Sequence, residues 1–98
     1  MNSIGQTDLF RQQYGKLDYV ERKWIDRVFC RLERDLTGGK PLGCDWLRER
    51  KCRGKRLLYV VNEKRTGAVL VAFATKKEQG SIIGFIMKNK EKYLALLR

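Results

Sequence analysis

The sequence predicts an α+β domain. An N-terminal helical segment packs on a three- to four-stranded antiparallel meander, which is followed by a C-terminal helix. Three observations carry this. Apolar residues recur at spacings of three and four between Leu17 and Leu36. Two short runs, Leu57–Val61 and Ala68–Ala74, are apolar without alternation and are separated by a charged loop ending in glycine. Finally, Thr75 and Glu78 stand three apart ahead of a second apolar periodicity, the signature of a capped helix start. Ninety-eight residues suffice for one core, so residues 1–98 are read as a single domain.

Residues 1–16 are weakly patterned, with Thr7 as the cap of a short turn that runs through Phe10 and ends at Gly15. Asp18 and Glu21 have the spacing of a capping box. Leu17, Val20, Trp24, Ile25, Val28, Phe29, Leu32 and Leu36 then form one stripe of a helix of about five turns. Gly38 and Gly39 supply its left-handed end, and Pro41 prevents resumption. Trp46 to about Cys52 reads as a first strand, Arg56–Val61 as a second and Ala68–Ala74 as a third. They are joined by a turn at Arg53–Lys55 and a hairpin loop at Glu63–Gly67. Strands without polar residues at their centres belong in the interior of a sheet. The last helix is expected from about Lys76 to Lys88, with a continuation toward Leu97.

The net charge of +11 is uneven. Residues 1–45 carry eight basic and seven acidic side chains, and residues 46–98 carry fourteen and four. A field with a direction suits a polyanion or an acidic partner. The apolar run Ala68–Ala74 is far short of the ~20 residues of a membrane helix, and the N-terminus lacks the pattern of a signal peptide, so a cytoplasmic address is expected. Cys30, Cys44 and Cys52 form no CxxC pair and the chain has no histidine. No metal and no cofactor is therefore expected, and the cysteines are read as inert thiols, Cys30 on the core side of its helix.

The chemistry concentrates in Arg48–Arg56, where six of nine residues are basic. Strand alternation puts Arg48, Arg50 and Cys52 on one face and Glu49 and Lys51 on the other. Arg56 opens the next strand, so Arg48, Arg50 and Arg56 are expected to converge at one end of the sheet. Lys76 and Lys77 begin the last helix, whose free N–H groups also favour an anion. Such a set fits a phosphodiester and its transition state. The competing reading is a row of solvated edge-strand charges. Glu63 and Glu78 are the nearest acids, Glu78 being committed to its capping box. Trp24 is read as core, and Trp46 is left open between core and base stacking.

In order, Leu47-Arg48-Glu49-Arg50-Lys51, Gly54-Lys55-Arg56-Leu57-Leu58-Tyr59-Val60-Val61, Val69–Ala74 and Lys76-Lys77-Glu78-Gln79 resemble the RelE/ParE toxin superfamily. With the helix at 18–37, the resemblance covers about 80 of 98 residues. It implies a toxin of a type II toxin–antitoxin system, neutralised by a cognate antitoxin that wraps it. RelE-like members are mRNA interferases that act at the ribosome, using the RNA's 2′-OH as nucleophile and basic side chains without metal. ParE-like members instead bind gyrase and cleave no RNA, which is the alternative for this chain. Carried over, the resemblance makes Arg48, Arg50, Arg56 and Lys77 the catalytic set, and Arg53, Lys55, Lys76 and Lys51, from the basic segment and the helix start, are read as RNA-binding. The family's C-terminal tyrosine falls on Ile83, and Tyr93 lies ten residues beyond it.

Overall fold

The computed structural model describes residues 1–97. In chain order the elements are β1 (Ser3–Gln6), α1 (Asp8–Gly15), α2 (Tyr19–Leu32), β2 (Lys40–Pro41), β3 (Leu47–Cys52), β4 (Lys55–Val61), β5 (Gly67–Thr75), α3 (Lys76–Lys88) and α4 (Lys90–Leu94), closed by a 3₁₀ turn at Ala95–Leu97. The expected meander β3–β4–β5 is the centre of a five-stranded sheet of order β1-β5-β4-β3-β2. Two short strands widen it. β1 runs parallel to β5, with Ser3 opposite Gly67, and β2 pairs Lys40 and Pro41 with Glu49 and Arg48. Neither strand is long enough to show a period in sequence.

β4 and β5 are buried on both faces, as their unbroken apolar runs require. One face, with Leu57, Tyr59, Val61, Ala68, Leu70 and Phe73, packs under α1 and α2 through Phe10, Ile25, Val28 and Leu32. The other, with Leu47, Leu58, Val60, Val69, Val71 and Ala72, packs under α3 and α4 through Ile86 and Leu94. The register slips between Leu58, opposite Ala72, and Tyr59, opposite Leu70, so Val71 is an extra residue on β5. The Thr7 hydroxyl, which also caps α1 at the Phe10 N–H, donates to the Val71 carbonyl at 2.7 Å.

Helix α2 departs from expectation in three ways. It ends at Leu32 rather than near Thr37, because Asn2 takes over its last carbonyls, its N–H donating to Glu33 and its side-chain amide to Leu32. Its buried line is Glu21, Ile25, Val28 and Leu32, so Val20 is half exposed and Cys30 faces solvent instead of the core. Asp18 caps the Glu21 N–H at 2.8 Å, but Glu21 does not reciprocate: its carboxylate lies 3.0 Å from the Lys55 ammonium. The second capping box, Thr75 with Glu78, is complete.

Gly38 and Gly39 therefore end no helix. They allow close approach, since a Cβ on Gly38 would strike the Arg50 guanidinium, and one on Gly39 would strike the Tyr59 hydroxyl and the Glu49 carbonyl. Tyr59 is fully buried. Its hydroxyl donates to the Leu36 carbonyl at 3.2 Å and accepts from the Gly39 N–H at 3.0 Å, and burial pushes its pKa up, keeping the proton in place. The β3–β4 hairpin turns through Arg53 and Gly54, both at positive φ, the geometry of a tight two-residue turn. Trp24 stacks on Phe73 with centroids 6.0 Å apart, which makes it a packing residue. Among the described residues no helix is long and apolar enough to cross a membrane.

Leu58 is wholly buried at the centre of β4, so Leu58→Ala is expected to lower unfolding free energy by about 2–5 kcal/mol in a urea titration. The Asp18 carboxyl is held below its ordinary 3.8 chiefly by the Glu21 N–H, and Glu78 below 4.5 by the Thr75 N–H and hydroxyl. A lowered folded-state pKa contributes stability above the unfolded value and loses it as pH falls through the folded one. Melting temperature is therefore expected to drop on acidification from the ordinary carboxylate range downward. Asp18→Asn, which still caps, should flatten part of that slope.

Candidate nucleic-acid interface

Three chain segments meet at one end of the sheet. Cys52 pairs with Lys55, Lys51 with Arg56, Lys55 with Thr75 and Arg56 with Ala74, so the β3–β4 turn lies beside the junction of β5 and α3. This brings Lys51, Arg53, Lys55, Arg56, Lys76 and Lys77 to a common end. The three arginines do not converge, however. Arg56 pairs across from Lys51 on the α3 side of the sheet, whereas Arg48 pairs with Tyr59 and lies with Arg50 on the α2 side. The strict alternation of side chains along β3 and β4 separates them.

On the α2 side the basic groups face protein partners to different degrees. Arg48 is only 7% exposed, and its guanidinium donates to the carbonyls of Asp45, Thr37 and Gly39 at 3.0, 3.1 and 2.9 Å. It pins the loop between α2 and β3 and offers nothing outward. Arg50 lies against Gly38, its Nε buried without a hydrogen-bond partner among the described residues. Lys55 sits between the Glu21 carboxylate and the face of Phe73, 5.5 Å from the ring centroid. Arg53 pairs with Asp18 at 3.2 Å in an exposed contact that is worth little and exchanges readily. Helix α2 thus delivers two acids to the basic end and offsets part of its charge.

The α3 side is different. Lys51, Lys76 and Lys77 are exposed and form no ion pair or hydrogen bond among the described residues. Lys76 and Lys77 occupy the first turn of α3, where unpaired backbone N–H groups add to the field. Arg56 does not reach freely into solvent from its strand end. Its side chain is 12% exposed and its Nε lies 3.5 Å from Glu49, which is itself 5% exposed. The two terminal nitrogens of Arg56 make no hydrogen bond among the described residues. Glu49 also accepts a hydrogen bond from the Gln79 side-chain amide on α3.

Glu49 is the residue that sequence reasoning passed over. Glu63 and Glu78 looked nearest, yet Glu78 is held by Thr75 and Glu63 lies in the β4–β5 hairpin at the far end. The alternation that placed Glu49 with Lys51 was available in sequence, but its pairing with Arg56 and Gln79 was not. Ile83 packs into the core beneath α3. Tyr93 folds back to the same face of the sheet, into an apolar cavity of about 290 Å³ with Thr7, Leu9, Val71, Ile82 and Phe85, whereas Arg56 has Glu49, Lys51 and Ala74 for neighbours. Trp46 is partly buried against the second core, with the Lys90 ammonium 5.0 Å from its ring centroid.

No protein-family model matches this chain, and no curated protein does. Solved structures do. A chain of the intact E. coli RelBE toxin–antitoxin complex superposes with a TM-score of 0.67 over 76% of this chain and 96% of its own, at 15% identity. The isolated E. coli RelE toxin gives 0.64 over 87% and 99%, at 15% identity. A chain of the toxin–antitoxin complex RelBE2 from Mycobacterium tuberculosis gives 0.62 over 76% and 98%, at 23% identity. The chain has the RelE toxin fold. At these identities the likeness is one of architecture, and it spans nearly the whole of each RelE-like chain.

The two sides of this RelE-like sheet give their basic residues opposite expected behaviour on substitution. Arg48→Ala should cost about 2–4 kcal/mol, because three main-chain carbonyls lose their donor. Lys77→Ala should stay within about 0.5 kcal/mol of the parent, the range for exposed sites. Arg56→Ala should cost about 2–4 kcal/mol by leaving Glu49 without its cation. Urea denaturation of the three variants checks the assignment, and a fully stable Arg48→Ala protein would contradict it.

Proposed function

We propose that this protein is the toxin of a type II toxin–antitoxin pair and a ribosome-dependent mRNA endonuclease. The observation that carries the reading is the set Lys51, Arg56, Lys76 and Lys77 at the α3 side of a RelE fold: Lys51 pairs across from Arg56, the exposed Lys76 and Lys77 open α3 at the same end, and the terminal nitrogens of Arg56 make no hydrogen bond among the described residues. Cleavage of RNA by its own 2′-OH needs no external nucleophile. It needs the phosphodiester held in line and the charge of the pentavalent state met by fixed donors. Arg56 would supply a two-pronged contact to the non-bridging oxygens, with Lys77 and Lys76 at the helix N-terminus and Lys51 along the strand. Arg53 and Lys55 reinforce the field from the turn. Arg48 serves the site indirectly, by holding the loop behind β3, and Arg50 packs against Gly38 in that loop. An antitoxin partner is part of the proposal, because structures of this fold include toxin–antitoxin complexes.

Expression of the chain without its partner is expected to stop growth, with protein synthesis failing before DNA synthesis. Purified protein should cut messenger on programmed ribosomes. Lys77→Ala should slow that cut by roughly 30- to 1,000-fold, the loss of about 2–4 kcal/mol of transition-state stabilisation, in a protein that still melts normally. With about four phosphate contacts at a slope near −0.7 each, RNA affinity should fall on the order of 50-fold between 50 and 200 mM salt. If DNA replication fails first while messenger stays intact, the protein-target alternative with gyrase replaces this reading.

A further inference from the structure

Glu49 stands in the most basic segment of the chain and is nearly buried, and the reading above gives it no task. An acid here is not needed for the strand. A buried ion pair is a weak source of stability, and an apolar residue of similar size would fill the position at lower desolvation cost.

The two carboxylate oxygens of Glu49 are treated differently. Oε2 accepts a hydrogen bond from the Gln79 side-chain amide and stands 3.5 Å from the Arg56 Nε in an ion-pair contact. Oε1 takes no partner among the described residues and is not sealed from solvent. One oxygen is thus anchored from β4 and α3, which fixes the plane of the group, and the other is left as an acceptor. Glu49 shares its sheet face with Lys51 and Arg56, where the phosphodiester would lie. The other carboxylates near this end are engaged: Glu78 by Thr75, Glu21 by Lys55 and Asp18 by Arg53, the last two contacts made by residues of the α2 segment.

We propose that Glu49 is the general base of the cleavage step and that Gln79 is the residue that positions it. The proposal rests on the RNA-cleavage reading. As the 2′-oxygen attacks phosphorus, its proton passes to Oε1 of Glu49. The bond from phosphorus to the 5′-oxygen breaks, and that oxygen leaves with a proton taken from an ammonium of this basic end, a role the proposal gives to the exposed Lys77 in the first turn of α3. The products are a 2′,3′-cyclic phosphate and a 5′-hydroxyl. Glu49 returns its proton to water and the ammonium regains one from water, so the balance closes without metal or co-reactant. Arg56 joins the two halves, its Nε toward the base and its fork toward the phosphate.

The test is single-turnover cleavage of messenger on programmed ribosomes, with the binding of each variant to those ribosomes measured separately. Glu49→Gln keeps the size of the side chain and an oxygen for Arg56 but takes up no proton. It is expected to slow cleavage by about 10²- to 10⁴-fold at unchanged ribosome affinity and a near-normal melting temperature. Gln79→Ala should slow cleavage on the order of tenfold, again without loss of binding, because it frees the carboxylate to turn. Glu49→Ala should regain rate in proportion to added formate, which a purely structural acid would not do. If Glu49→Gln does not fold, Glu49→Asp decides, since it keeps the charge but withdraws the oxygen; it should fold and be slowed by tenfold or more. A wild-type rate in Glu49→Gln or Glu49→Asp, or the absence of formate rescue, overturns the assignment while leaving RNA cleavage in place. Intact messenger with the parent protein overturns both.

Discussion

The architecture follows from the burial of β4 and β5 on both faces. Sixteen residues in these two strands carry charge only at Lys55 and Arg56, so a layer of helix must cover each side and polar chemistry is driven to the ends. At one end Asn62 closes the β4–β5 hairpin by accepting from the N–H groups of Thr66 and Gly67. At the other end the β3–β4 turn and the start of α3 stand together, and there charge is tolerated. The basic end is a consequence of the core, since the interior of the sheet has no place for it.

Within that end, one property of strands divides the work. Side chains a single residue apart point to opposite faces, so Arg48 and Arg50 fall beneath the α2 layer and Glu49 and Lys51 fall beside α3. Chemically identical guanidinium groups then do different things. Arg48 donates to three main-chain carbonyl oxygens and becomes a structural clamp. Arg56 meets a single carboxylate through its Nε and keeps its fork. A count of arginines in the segment overstates what is available to an external anion. The acids that α2 contributes, Asp18 and Glu21, reduce it further.

The fold tolerates wide sequence divergence for the same reason. What the sheet requires is apolar bulk on two faces and tight closure at two ends, and many sequences satisfy that. RelE-like chains at 14–23% identity share it with this protein over most of their length. In this chain the closures are made by named side chains. Tyr59 and Arg48 pin the loop after α2, Asn2 finishes α2, and Thr7 satisfies the bulge carbonyl of β5.

The amino-acid sequence determined whatever depends on neighbours along the chain. The three central strands, the start of α2 and the Thr75–Glu78 capping box are written in local periodicity and spacing, as are the alternation of Arg48 against Glu49 and the basic bias of residues 46–77. The tertiary structure alone decided what depends on residues far apart. Helix α2 stops at Leu32 because Asn2, some thirty residues earlier, supplies the donors its carbonyls need. Strands β1 and β2 exist because an edge accepts them, since segments of four and two residues have no periodicity of their own. Cys30 points outward because α2 is turned to bury Glu21, whose charge is met by Lys55 from another element. Glu49 is joined to Arg56 and Gln79 because β3, β4 and α3 meet there. A one-dimensional pattern ranks residues by type, but which charge is neutralised, buried or left open is set by the partners that folding brings within a few ångströms.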